Sequence, residues 1–201
     1  MVIFAVCTWQ VVTRGPLLAA DERLGRRIHD GALPEGAAEF LADAGGMLVG
    51  PVLLAALITG QWFTARRHGD APYWWALPLT SGVAMALVPL LVSLAKVLTD
   101  RPGPPSMGGS GFFPSGHAAT ACVAFGACVL LLRRAVASRY RRWSLVAACA
   151  VFNGAVGYGL VRRGYHWPLD VAASWALGVL LLWAAVTVAR GLLRRRGGGA
   201  A

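Results

Sequence analysis

Charge is scarce in this chain, and one cation is nearly missing. Of its 201 residues 14% are charged and nine are acidic, while Lys96 is the one lysine among 19 basic residues. A soluble domain carries about 25% charged residues, so a water-facing globular surface is excluded. Cysteine is sparse as well. Cys7, Cys122, Cys128 and Cys149 all stand inside apolar segments without ligand spacing. They read as small core side chains rather than disulfides or metal ligands. No carboxylate cluster or Cys/His set suggests a metal, so neither metal nor cofactor is expected. A net charge of +10 would suit nucleic acid if the arginines lined a groove. They gather instead at the ends of apolar runs, which is the pattern of membrane topology, and no nucleic-acid partner is expected.

What the chain has in quantity is apolar length, with 57% hydrophobic residues in long uncharged runs. Clear spans cover residues 46–65, 74–96, 118–132, 143–161 and 168–189, each bounded by arginines, aromatic residues or a polar loop. Residues 1–12 are apolar but about half the length needed to cross a bilayer, and read as a short first membrane segment. Residues 14–43 interleave Leu17, Leu24, Ile28 and Phe40 with Asp21, Glu22, Arg23 and Arg26, an amphipathic interfacial segment broken near Pro34. The expected fold is therefore an all-α polytopic membrane helix bundle of about six transmembrane helices with an interfacial amphipathic segment. The expected organisation is an N-terminal region to residue 45, a transmembrane core over 46–190 and a basic, disordered tail over 191–201.

The arginines also set the orientation. Arg66 and Arg67, the run from Arg133 to Arg142, and the C-terminal arginines lie on one side if every span crosses, so that side is cytoplasmic. The polar loop 99–114 and the link 162–167 then share the extracytoplasmic face, and the unusual residues are all there.

Three groups converge on that face. Lys96 begins the run Lys-Val-Leu-Thr-Asp-Arg-Pro, which ends with Arg101 and Pro102. Taken alone, Lys96 is also compatible with a snorkelling anchor. Pro114-Ser115-Gly116-His117 stands where a loop turns into a membrane helix. The free N–H groups and dipole of such a helix start suit an anion, Ser115 adds a hydroxyl, Gly116 admits close backbone approach, and His117 titrates near neutrality. His166-Trp-Pro-Leu-Asp170 opens the last span. A carboxylate beside some twenty nearly uncharged residues costs on the order of 2.5–3.5 kcal/mol near the bilayer centre and is kept for a partner. His166 is the nearest candidate. If the helix starts at or before His166 the two share a face; if it starts at Pro168, their pairing needs a tight turn. Two imidazoles on different helices, one oriented by a carboxylate, with basic groups between them, are equipment for nucleophilic attack on a phosphoryl group.

Lys96 with Arg101-Pro102, Pro-Ser-Gly-His at 114–117 and His166-x-x-x-Asp170 resemble, in order and on the right helix ends, the three signature motifs of the type 2 phosphatidic acid phosphatase superfamily. The resemblance covers roughly residues 74–189. It implies a six-helix membrane core that hydrolyses a lipid phosphate, or a polyprenyl diphosphate such as undecaprenyl diphosphate, through a phosphohistidine without a metal. Carried over by position, His166 would be the nucleophile, Asp170 its orienting partner and His117 the general acid, with Lys96, Ser115 and Gly116 binding phosphate. Two motif arginines are replaced, by Gly103 seven residues after the lysine and by Leu160 six before the histidine, while Gly159 stands at the motif serine. Arginine is the natural bidentate phosphate clamp, so Arg101, Arg162 and Arg163 are the expected substitutes.

The implied partners are a phosphorylated lipid and the bilayer, with the active site on the outer face of a bacterial cytoplasmic membrane; the oligomeric state carries no signal. A catalytically weak relative that binds or moves a phosphorylated lipid is the alternative, motivated by Gly103 and Leu160. An unrelated transporter would break a span near mid-membrane, for which Pro78 and Pro89 are slight support. The soluble haloperoxidase branch of the superfamily is excluded by the number of spans.

Overall fold

The structure, a computed structural model, describes residues 2–68 and 74–197. Among them lie eight α-helices and no strand: α1 (Val2–Val12), α2 (Leu17–His29), α3 (Glu35–Ala44), α4 (Val49–His68), α5 (Ala76–Thr99), α6 (Gly116–Leu132), α7 (Arg139–Arg162) and α8 (Pro168–Gly197). Four stretches are long and apolar enough to cross a bilayer, namely Glu35–Arg67, Ala76–Thr99, Arg139–Arg162 and Pro168–Arg194. The apolar α6 is shorter at 17 residues, and α1 with α2 forms a pair bent by 95°. The chain thus forms the all-helical membrane bundle its hydropathy calls for.

Helix α6 is the axis of that bundle. Ala118, Ala119, Ala121, Val123, Ala124 and Ala127 are each at most 1% exposed, and α4, α5, α7 and α8 pack around it. A helix apolar on every side belongs inside, and its small residues let its neighbours approach closely. The surrounding helices turn Leu90, Leu94, Val151, Val179 and Trp183 outward, the surface a hydrocarbon solvent requires.

Local chemistry sets the helix ends. The Ser115 hydroxyl accepts the Ala118 N–H at 3.3 Å and starts α6, an N-cap arrangement. Asp100, in the left-handed conformation at φ 41°, closes α5 with its N–H on the Lys96 carbonyl at 3.0 Å.

Several boundaries differ from the sequence reading. α7 begins at Arg139, so Arg141 and Arg142 ride on the helix rather than in a loop. α8 runs on to Gly197, so residues 191–197 continue the last helix; Met1 and residues 198–201 lie outside the described residues. The amphipathic segment does break at Pro34, but its two halves are more than an interfacial skirt. α2 packs on α7 and α8, and α3 lies along α7. That last contact is close at Gly159, where a Cβ would stand 2.7 Å from the Ala38 carbonyl oxygen and the Ala42 nitrogen.

Candidate active site

The first turns of α6 and α8 are bolted together. The Ser115 N–H donates to the Asp170 carbonyl at 3.2 Å, and the Ser174 hydroxyl donates to the Ser115 carbonyl at 2.8 Å. Both serines are fully buried. This fixes His117, on the first turn of α6, relative to His166, which stands two residues before α8.

Because α8 starts at Pro168, His166 and Asp170 meet through a tight turn. The Asp170 N–H bonds the Trp167 carbonyl at 3.0 Å, and the Asp170 Oδ2 accepts the Trp167 N–H at 3.0 Å. This is the reach of a third-position helical carboxylate back to the cap residue. The same Oδ2 lies 3.3 Å from His166 Nδ1. With Nδ1–H given to Asp170, the lone pair of His166 rests on Nε2.

His166 forms part of the wall of a cavity of about 550 Å³ together with Lys96, His117, Asp43, Phe112 and Leu160. The Phe112 ring meets the imidazole edge-on, centroids 5.8 Å apart. Lys96 is half-buried and has no carboxylate partner among the described residues. It is therefore available to an anion, as are the Gly116 and His117 N–H groups at the start of α6, which precede the first intrahelical bond. Among the described residues no three His, Cys, Asp or Glu side chains cluster so as to hold a metal ion.

The remaining expected phosphate ligands are committed elsewhere. Ser115 is fully buried outside the cavity wall, its hydroxyl oxygen accepting the Ala118 N–H. Arg101 is 3% exposed and bridges two carboxylates, donating to Asp170 Oδ1 at 2.5 Å through Nη1 and to Asp21 Oδ2 through Nη2. Arg162 donates to the backbone carbonyls of Leu33 and His29. Arg163 binds Glu39 at 2.5 Å and Glu35 at 3.1 Å. In each case a carboxylate or carbonyl from α2, α3 or their connection captures the guanidinium, so none of the three substitutes reaches the cavity as placed.

The two positions where the resemblance leads one to expect arginine are filled by apolar groups. Leu160 is 1% exposed and lines the cavity. At Gly103 a Cβ would stand 2.5 Å from the Phe112 ring, which takes that space.

Sequence reasoning missed Asp21 and Phe112 as members of the site. Asp21 carried a signal: it shares the inward face of α2 with Leu18, Gly25 and Ile28, the one acid among them. Phe112 carried none, since its role depends on the glycine at 103.

The fold has counterparts among solved structures. The chain superposes on the crystal structure of a transmembrane PAP2-type phosphatidylglycerolphosphate phosphatase from Bacillus subtilis with a TM-score of 0.76 and 20% identity, covering 96% of this chain and 94% of that one. It superposes on LpxE of Aquifex aeolicus with a TM-score of 0.58 and 22% identity, covering 82% and 93%. No curated protein matches the sequence. The family model of the PAP2 superfamily matches residues 77–194, a stretch holding Lys96, His117, His166 and Asp170. The chain belongs to the PAP2 superfamily.

Proposed function

We propose that this protein is a membrane lipid phosphatase that hydrolyses a lipid phosphate or polyprenyl diphosphate at the extracytoplasmic face through a phosphohistidine on His166. The observation that carries the reading is His166, held at Nδ1 by Asp170, in the wall of one cavity with His117 and Lys96. In the first step His166 Nε2 attacks phosphorus, the bond from phosphorus to the lipid oxygen breaks, and His117 gives that oxygen its proton. The products are a phosphohistidine and a lipid alcohol, or a lipid monophosphate from a diphosphate. His117 then takes a proton from water as the water attacks phosphorus, the N–P bond breaks, and phosphate leaves. Lys96 and the first N–H groups of α6 bind the phosphoryl oxygens throughout.

A lipid substrate is supported by a second cavity. A groove of about 580 Å³ runs between α4, α5 and α6, past Met47, Leu54, Ile58 and Met85, and ends at Lys96 and Gly116. Its apolar length suits an acyl or prenyl chain, and its polar end is the lysine shared with the site. The outer-face assignment rests on the arginines: those of α4, of the α6–α7 connection and of the end of α8 stand opposite the site.

Phosphate release in detergent from a polyprenyl diphosphate, phosphatidate and phosphatidylglycerol phosphate, with EDTA present, tests the reading. Release that survives EDTA and fails in both His117→Ala and His166→Ala is expected. A second reading, a lipid-phosphate binder with little or no turnover, is favoured by Leu160 and Phe112 standing where the family places arginines. Folded protein that binds but releases no phosphate from any of the three lipids would put that reading first.

A further inference from the structure

The N-terminal amphipathic helix reaches the catalytic end of the molecule through one buried side chain. Asp21 is 5% exposed and accepts from two donors. Its Oδ1 takes the Leu169 N–H at 2.7 Å, capping from another helix a first-turn donor of α8 that has no intrahelical partner. Its Oδ2 takes Arg101 Nη2. Arg101 passes its other nitrogen to Asp170, and Asp170 holds His166. The chain Asp21–Arg101–Asp170–His166 thus runs through three buried charges from α2 to the imidazole. Gly25, one turn beyond Asp21, lets α2 close on Trp167, where a Cβ would stand 2.7 Å from the indole. The Trp167 Nε1 in turn donates to the Pro102 carbonyl at 3.2 Å, beside Arg101.

We infer that Asp21 and Arg101 are positioning residues of the reaction, fixing the orientation and charge of Asp170 and through it the nucleophile; this rests on the phosphohistidine reading above. Three donors converge on the Asp170 carboxylate: Arg101 on Oδ1, and the Trp167 N–H and His166 Nδ1–H on Oδ2. Left to Arg101 alone, the carboxylate would be largely neutralised and would hold the imidazole weakly. Asp21 offsets that cation and returns negative charge to Asp170. The amphipathic segment is therefore part of the catalytic support as well as a membrane-facing surface.

The sign of the electrostatics makes the inference testable. Removing the Asp21 charge leaves Arg101 to act more fully on Asp170 and disfavours a protonated His166. Removing the Arg101 charge does the opposite. The other charged or titratable groups around His166 are Lys96, His117, Asp43 and Tyr165 in its main cavity, with Arg26, His29 and Asp30 in a cavity of about 240 Å³ on its other side. Neither substitution alters them.

With four histidines in the chain, ¹⁵N-imidazole resonances of the full-length protein in detergent, assigned with His166→Asn, read the His166 ring without substrate. Asp21→Asn keeps the side-chain shape and the oxygen for Leu169, and turns its NH2 toward Arg101, which is left with Asp170 as its carboxylate partner. This substitution should move the pH midpoint of the His166 resonances downward, while Arg101→Gln should move it upward. In phosphate release, Asp21→Asn should lower kcat about tenfold with KM little changed. An unchanged or raised midpoint in Asp21→Asn overturns the inference, and that variant decides alone if Arg101→Gln does not fold. Should wild-type protein release no phosphate while the midpoints move apart, the phosphatase reading fails and the charge relay stands. If wild-type protein turns over and Asp21→Asn alters neither midpoint nor kcat, the relay fails and the phosphatase reading stands.

Discussion

Asp170→Asn is the substitution on which the site's geometry makes its sharpest demand. All three partners of the Asp170 carboxylate are donors: Arg101 Nη1 at 2.5 Å on one oxygen, the Trp167 N–H at 3.0 Å and His166 Nδ1 at 3.3 Å on the other. A carboxylate accepts on both oxygens, whereas an amide offers one acceptor and one donor group. Asparagine must therefore turn its NH2 either toward Arg101 or toward Trp167 and His166. The first choice sets a donor against a buried guanidinium. The second drives the His166 proton from Nδ1 to Nε2 and removes the nucleophilic lone pair. Breaking a buried ion pair by neutralising one member typically costs about 3–5 kcal/mol. Arg101 keeps Asp21 as a partner, so about 3 kcal/mol is expected. The same neutralisation in a carboxylate–histidine pair costs about 10⁴ in kcat through the wrong tautomer, and a loss of about 10³–10⁴ is expected here. Phosphate release and thermal unfolding, measured on one detergent preparation, read both. A folded variant that keeps its rate within about tenfold of wild type would refute the assignment of Asp170 as the group that orients the nucleophile.

Other substitutions separate phosphate binding from lipid binding. Leu160→Arg places a guanidinium at the wall of the cavity and should raise kcat/KM by about 10², at roughly 2 kcal/mol of stability for the lost apolar burial; a folded variant without gain would show that this position does not limit the rate. Lys96→Gln should lower kcat/KM by about 10²–10³ while moving stability by less than about 0.5 kcal/mol, because no ion pair is broken. A large unfolding shift would mark Lys96 as structural. Ala86→Trp narrows the groove between α4 and α5, and should raise KM for a long-chain lipid phosphate without affecting a short, water-soluble phosphate ester. Equal effects on both substrates would separate the groove from chain binding.

How much of this was legible in the sequence follows from which contacts are local. The His166–Asp170 pair is four residues apart, so spacing alone points to it, with two routes to the pair open and the start of α8 at Pro168 deciding between them. Spans were readable from hydropathy because a bilayer demands long uninterrupted helices. Arg101 shows where such reading stops. Its place five residues after Lys96 and next to Pro102 makes it a candidate site residue, yet whether a guanidinium meets phosphate or carboxylate depends on what folds against it. Here Asp21, eighty positions away, and Asp170, sixty-nine away, meet it first. The same long-range capture takes Arg163 with Glu39 and Arg162 with the carbonyls of Leu33 and His29. Apart from Asp170, those captors come from α2, α3 or their connection, the segment whose composition suggests only an interfacial skirt. Gly159 admits that segment, because a side chain there would meet the backbone of α3 at 2.7 Å. Gly159 and Leu160, where the resemblance leads one to expect a serine and an arginine, stand side by side on α7, where α3 packs on one side and the cavity opens on the other. Both positions share one structural setting: α3 is seated against the site, its acids hold Arg163, and Lys96, without a carboxylate partner among the described residues, lines the cavity with His166.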